Sequence, residues 1–150
     1  MPFEMKFEVF GEEIVARKLL RFGERAMDMS PAWDDVTKEF QRAFERNFAQ
    51  QGPGWTPLKP STIRARIAQG YAPGPILTRS GDYRRAMTSG LRTHRNSDEL
   101  IALAPTVPGM FHQKGTKTPM PARPLRVKET EKRNIMKILQ RALIEGYEEG

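Results

Sequence analysis

The sequence predicts an α+β fold: an antiparallel sheet packed against long amphipathic helices, an extended Pro/Gly-rich arm, and a C-terminal helix. Three observations predict it. Residues 3–9 alternate, with Phe3, Met5, Phe7 and Val9 on one face and Glu4, Lys6 and Glu8 on the other, as in a strand with one buried face. Trp33, Val36, Phe40, Ala43, Phe44 and Phe48 recur at helical spacing, opposite Lys38, Glu39, Arg42, Glu45 and Arg46. Between Gly52 and Gly81, prolines and glycines rule out a long helix or a central strand. That stretch nonetheless carries Trp55, Leu58, Ile63, Ile76 and Leu77, which a solvent linker would not need.

Taken in order, Gly11 ends the first strand, and Glu12-Glu13 suit the positive end of a new helix. Val15, Leu19, Phe22 and Ala26 give that helix an apolar stripe, which should fade near Asp28 or Met29. Ser30-Pro31 restarts a helix, with Ser30 as cap, Pro31 at the first position, and Asp34 and Asp35 in the first turn. Its aromatic stripe is read as core, packed on the buried face of the 3–9 strand. After the arm, Asp82 to Met87 reads as a short helix begun by Ser80 and broken by Ser89-Gly90.

Residues 91–95 and 99–104 flank Asn96-Ser97-Asp98, the turn chemistry of a hairpin. Met110 to Gln113 forms a further short element, followed by a loop at 114–118. Pro121 to Val127 is extended by its prolines and is expected to add an edge strand. From about Thr130 to Tyr147, Ile135, Ile138, Leu139 and Ala142 mark the last amphipathic helix, with Glu145, Glu148 and Glu149 at a frayed end.

The 150 residues suffice for one domain with a real core, and the chain is read as a single domain over 1–150 with the arm at about 52–81. No apolar run is long enough to span a membrane, and the N-terminus lacks the pattern of a signal peptide. The absence of cysteine removes disulfides and thiolate metal sites. The net charge of +7 is unevenly spread. Residues 1–50 hold 8 Lys/Arg against 10 Asp/Glu, residues 51–100 hold 8 against 3, and residues 101–150 hold 9 against 5. Such a basic region suits nucleic acid or an acidic protein surface.

Enzyme motifs are sparse. His94 and His112 are not at metal-ligand spacing, and no nucleophile elbow, phosphate-binding loop or dinucleotide fingerprint occurs. Ser80-Gly81 has no histidine tied to it by a recognisable pattern. Arg64, Arg66, Arg79, Arg84, Arg85, Arg92 and Arg95, with Trp55, Tyr71 and Tyr83 for stacking, keep a basic nucleic-acid-binding module as the alternative. No known nucleic-acid-binding signature accompanies them.

An ordered series of short motifs carries a resemblance: Trp55-Thr56-Pro57-Leu58, Ser61-Thr62-Ile63, Ile76-Leu77-Thr78-Arg79-Ser80-Gly81, Phe111-His112-Gln113-Lys114-Gly115 and Pro119-Met120-Pro121-Ala122-Arg123-Pro124-Leu125, then a helix. In this order they resemble the phage virion morphogenesis family, the tail-completion proteins of Mu-like and related tailed phages. The resemblance starts at the long helix leading into Phe48, and residues 1–29 add little to it. It implies a non-enzymatic structural subunit without cofactor or metal, found in the tail or neck of a virion and assembled in the cytoplasm of a bacterial host. The implied partners are further copies in a ring (a hexamer among the candidates), tail-tube or neck and connector proteins, and DNA passing through the ring. No membrane is implied.

Contacts to neighbours are expected at Trp55, Leu58, Lys59, Arg64, Arg66, Leu77, Arg79, His112 and Arg123. Trp and Arg are enriched at interface hot spots. Two alternatives stay open at this level. Trp55 either meets a neighbour or folds back to seal its own core. Arg123 either locks the extended segment to carboxylates or carbonyls through its fork of donors, or is an ordinary surface arginine.

Overall fold

The computed structural model describes residues 11–103 and 122–146. The strand expected at 3–9, the element at 110–113 with His112, the loop at 114–118, and Glu148 and Glu149 lie outside the described residues. Helix α1 spans Glu12–Met27 and ends where its stripe was expected to fade. Ser30–Ala32 then forms a 3₁₀ turn that runs directly into α2, Trp33–Ala49. Ser30 is therefore not the cap of α2: Pro31 sits in the 3₁₀ turn, and Ala32 precedes the helix. Asp34 and Asp35 occupy the first turn of α2, where the helix dipole favours them.

The α2 stripe is core as expected. Trp33, Val36, Ala43, Phe44 and Phe48 are buried, and Phe40 is half-buried. Among the described residues, most of its partners come from the arm and from around Leu125, and Ala102 packs against the same cluster. Ala43, Phe44 and Phe48 cluster with Trp55, Ile76 and Leu77 from the arm, Met87, and Leu125. Trp55 and Tyr83 both meet the Phe48 ring edge-on, each at 5.8 Å. The geometry is that preferred by aromatic quadrupoles.

The end of α2 sets the direction of the arm. Gln51 adopts φ 56, and the Gly52 N–H reaches back to the Asn47 carbonyl at 2.6 Å, a Schellman-type stop. Gly52 has φ 88, and a Cβ there would lie 1.9 Å from the Trp55 ring. Only glycine lets the indole fold back onto α2 at this corner. The arm also contains a nine-residue helix, α3, Pro60–Ala68, with Pro60 in its first turn. Helix α4 spans Asp82–Met87; Gly81 rather than Ser80 holds its cap position, and the Ser80 hydroxyl accepts the Asp82 N–H at 3.3 Å.

Strands β1, Arg92–Arg95, and β2, Leu100–Leu103, pair antiparallel around the expected turn, with Arg92 opposite Leu103 and Arg95 opposite Leu100. Leu100 and Ala102 turn inward, while Ile101 and Leu103 are exposed. The hairpin turn docks on the start of α2. Trp33 donates its indole N–H to the Asn96 carbonyl at 2.6 Å, and Arg95 pairs with Asp34 at 2.6 Å. The last helix, α5, spans Glu129–Ile144 and packs on α2 and, near its C-terminus, on α1.

Residues 122–128 form no strand, contrary to the expected edge strand. They lie as an extended strap on α2, with Leu125 buried. Its backbone is held by Asn47, a fully buried side chain: Oδ1 accepts the Arg126 N–H at 3.1 Å, and Nδ2 donates to the Arg126 carbonyl at 2.8 Å. A side-chain amide thus supplies the donor and the acceptor that a neighbouring strand would have supplied.

Candidate functional site: the arm, the strap and the first helix

The arm and the strap are cross-linked reciprocally by three hydrogen bonds from two side chains. Trp55 donates its indole N–H to the Pro124 carbonyl at 2.9 Å. Arg123 donates through Nε and one terminal nitrogen to the Thr56 carbonyl, at 3.1 and 2.9 Å. Of the two readings of Arg123, the structure realises the fork, with a carbonyl as acceptor. The strap then leads into α5 through a second junction. Arg46 makes a two-pronged pair with Glu131 at 2.6 and 2.8 Å, and Glu131 also accepts the Lys128 N–H at 2.7 Å. The Arg46 guanidinium, foremost, holds the Glu131 carboxyl below its ordinary range.

The other expected contact residues divide by burial. Trp55 and Leu77 are buried and Leu58 is half-buried against the same cluster, so the apolar anchors of the arm are used within the chain. Trp55 folds back onto its own core. Lys59, Arg64 and Arg79 face solvent. Arg66 is 8% exposed and donates to the Pro75 carbonyl at 2.9 Å. Arg79 stacks on Tyr71, its guanidinium carbon 4.6 Å from the ring centroid. Arg123 is likewise 8% exposed. Burial first, and a neighbouring guanidinium second, lower the proton affinity of both covered arginines: Arg79 acts on Arg66, and Arg66 on Arg123. His94 is exposed on β1. Among the described residues no group of three or more His, Cys, Asp or Glu is placed to hold a metal ion, and no helix is long and apolar enough to cross a membrane.

The surface feature that the sequence concealed is α1. Among the described residues its stripe does not enter the core: Ile14, Val15, Leu19, Leu20 and Phe22 are 44–66% exposed. The helix is tied by its C-terminal half to the end of α5, where Arg25 donates to the carbonyls of Leu143 and Ile144 at 3.3 and 2.8 Å. A groove of about 410 Å³ runs beside it, lined by Leu19, Phe22 and Ile144 together with Lys18, Arg21 and Arg25. The periodicity showed that α1 has an apolar face; it carried no signal of whether that face is covered.

Comparison with known families matches residues 12–144 to the phage virion morphogenesis family, whereas no curated protein and no solved structure matches. The match opens at the first residue of α1, so this helix is part of the shared pattern although its motifs add little to the resemblance read from sequence. The family points to a structural role in building the virion rather than to catalysis. With the matched span running from the first residue of α1 to the last of α5, the chain belongs to the phage virion morphogenesis family.

Proposed function

We propose that the protein is a structural, non-enzymatic subunit of a tailed-phage tail or neck. It acts as a tail-completion or terminator component, assembling with copies of itself in a ring and docking onto the tail or connector. The exposed apolar face of α1 is the observation that carries this reading. A lone helix of 16 residues is marginal in water, and most helical stability comes from covering an apolar face. Contiguous exposed apolar surface of this kind marks protein–protein contact. Lys59, Arg64 and Arg79 on the outer side of the arm add basic contact groups, and a ring of such subunits would present them to neighbours or to passing DNA.

The test is the double variant Leu19→Glu/Phe22→Glu. Both side chains already face solvent, so the variant is expected to keep the circular dichroism and melting of the parent. It is expected to sediment as a smaller species than the parent and to fail to complete phage tails. A folded variant that assembles and completes tails like the parent overturns the reading. Binding of the parent to random DNA with a steep salt dependence, and no assembly at any concentration, would favour the nucleic-acid-binding module instead.

A further inference from the structure

Two stretches of this chain contain no acid at all. No Asp or Glu occurs between Glu45 and Asp82, nor between Glu99 and Glu129. The fold brings these two stretches together, because Arg123 of the second bonds Thr56 of the first, and Trp55 of the first bonds Pro124 of the second. Arg66 lies near enough to bear on Arg123, and Arg79, stacked on the Tyr71 that bonds Arg66, bears on Arg66; no carboxylate comes from either segment. Among the described residues, every ion pair lies elsewhere.

Covering a guanidinium without a counter-charge is unfavourable, and carbonyl acceptors offset only part of that cost. A guanidinium has five N–H donors. Among the described residues, Arg66 spends one on Pro75 and Arg123 two on Thr56. Like charges act on both, since Arg79 bears on Arg66 and Arg66 on Arg123. The exposed member, Arg79, is held against the Tyr71 ring, and Tyr71 is itself anchored by its N–H to the Arg66 carbonyl at 2.8 Å. Among the described residues the cluster is thus built into the fold, short of negative charge, and open at one member.

We propose that Arg66, Arg79 and Arg123 form a receiving site for a side-chain carboxylate on an acidic segment of a neighbouring protein. The covering of Arg66 and Arg123 favours a carboxylate on a flexible side chain over the phosphates of a duplex, which lie on the outside of a stiff rod and meet exposed cations. A carboxylate accepts the paired N–H groups of an arginine fork. Lys59 and Arg64, exposed on the same arm, steer an acidic partner from a distance without specifying the site. The proposal does not rest on the ring or on the tail assignment, because its test needs only the isolated chain.

Calorimetric titration of the full-length protein with hexaglutamate, and separately with a duplex DNA oligonucleotide, tests it. Hexaglutamate is expected to bind the parent. Arg79→Gln, a change at an exposed position, is expected to weaken that binding about tenfold, since hydrogen bonds between charged groups are of that strength. The double variant Lys59→Gln/Arg64→Gln removes more charge from the same arm and is expected to change the affinity by no more than about twofold, the loss expected of exposed charges. Arg66→Gln, if it folds, is expected to act like Arg79→Gln; Arg79→Gln decides the matter if it does not. No binding of hexaglutamate at millimolar concentration overturns the proposal. So does an equal loss in the arm double variant, which would mean unspecific charge attraction. Duplex DNA binding more tightly than hexaglutamate, and weakened by Arg79→Gln, would also overturn it in favour of nucleic acid.

Discussion

Asn47 holds the strap through both the oxygen and the nitrogen of its side-chain amide and also donates to the Ala43 carbonyl of its own helix at 2.5 Å. Asn47→Ala removes both of these part-buried bonds, leaving the Arg126 carbonyl only Arg46 at 3.3 Å, and a hydrogen bond of this kind is worth about 0.5–1.5 kcal/mol. We expect a clear drop in melting temperature and faster amide exchange at Arg126; an unchanged melt would show that the strap is held by Leu125 alone. Glu131 gives a pH-dependent counterpart. Its carboxyl titrates lower in the folded chain than its ordinary value of 4.5, chiefly because of Arg46. A carboxylate of depressed pKa contributes stability above its unfolded value and loses it as pH falls through the folded value. The melting-temperature gap between the parent and Glu131→Gln should therefore be full at neutral pH, shrink as pH falls below about 4.5, and close in stronger acid. A gap independent of pH would mean that the carboxylate charge contributes nothing.

The arm is the element whose role changes most between sequence and structure. Its prolines and glycines do not make it a free projection; they shape it into corners that return Trp55, Ile76 and Leu77 to α2. Truncating a buried Trp or Leu to Ala costs about 2–5 kcal/mol each, against a total stability of about 5–15 kcal/mol for a typical domain. Trp55→Ala combined with Leu58→Ala is thus expected to unfold the chain or lower its melting temperature sharply by circular dichroism. A double variant that melts like the parent but no longer assembles would return Trp55 to the contact surface. Helix α1 shows the opposite case. It has the composition of a packed helix, yet among the described residues only its C-terminal end is tied down and its apolar face is exposed.

At the scale of the whole molecule, the local elements were legible because their causes are local. Helical periodicity gave α1, α2 and α5, turn residues at 96–98 gave the β1–β2 hairpin, and the bounds of α4 followed from Asp82 and the Ser89-Gly90 break. The prolines and glycines of the arm exclude a long helix but not the short α3, since proline in the first turn of a helix lacks no bond that it needs. The order of short motifs was enough to reach the family, since it is a property of the chain itself. What lies against what was not legible. That Asn47 takes the place of a strand beside Arg126, that Trp55 seals its own core, and that the α1 stripe stays in solvent each depend on residues far apart in the chain. The same holds for Arg66 and Arg123, whose burial and mutual repulsion arise only when the arm closes on the strap. Periodicity and turn chemistry act within a few residues and are written in the sequence; burial and electrostatic pairing depend on which distant segments meet, and tertiary structure alone decides that.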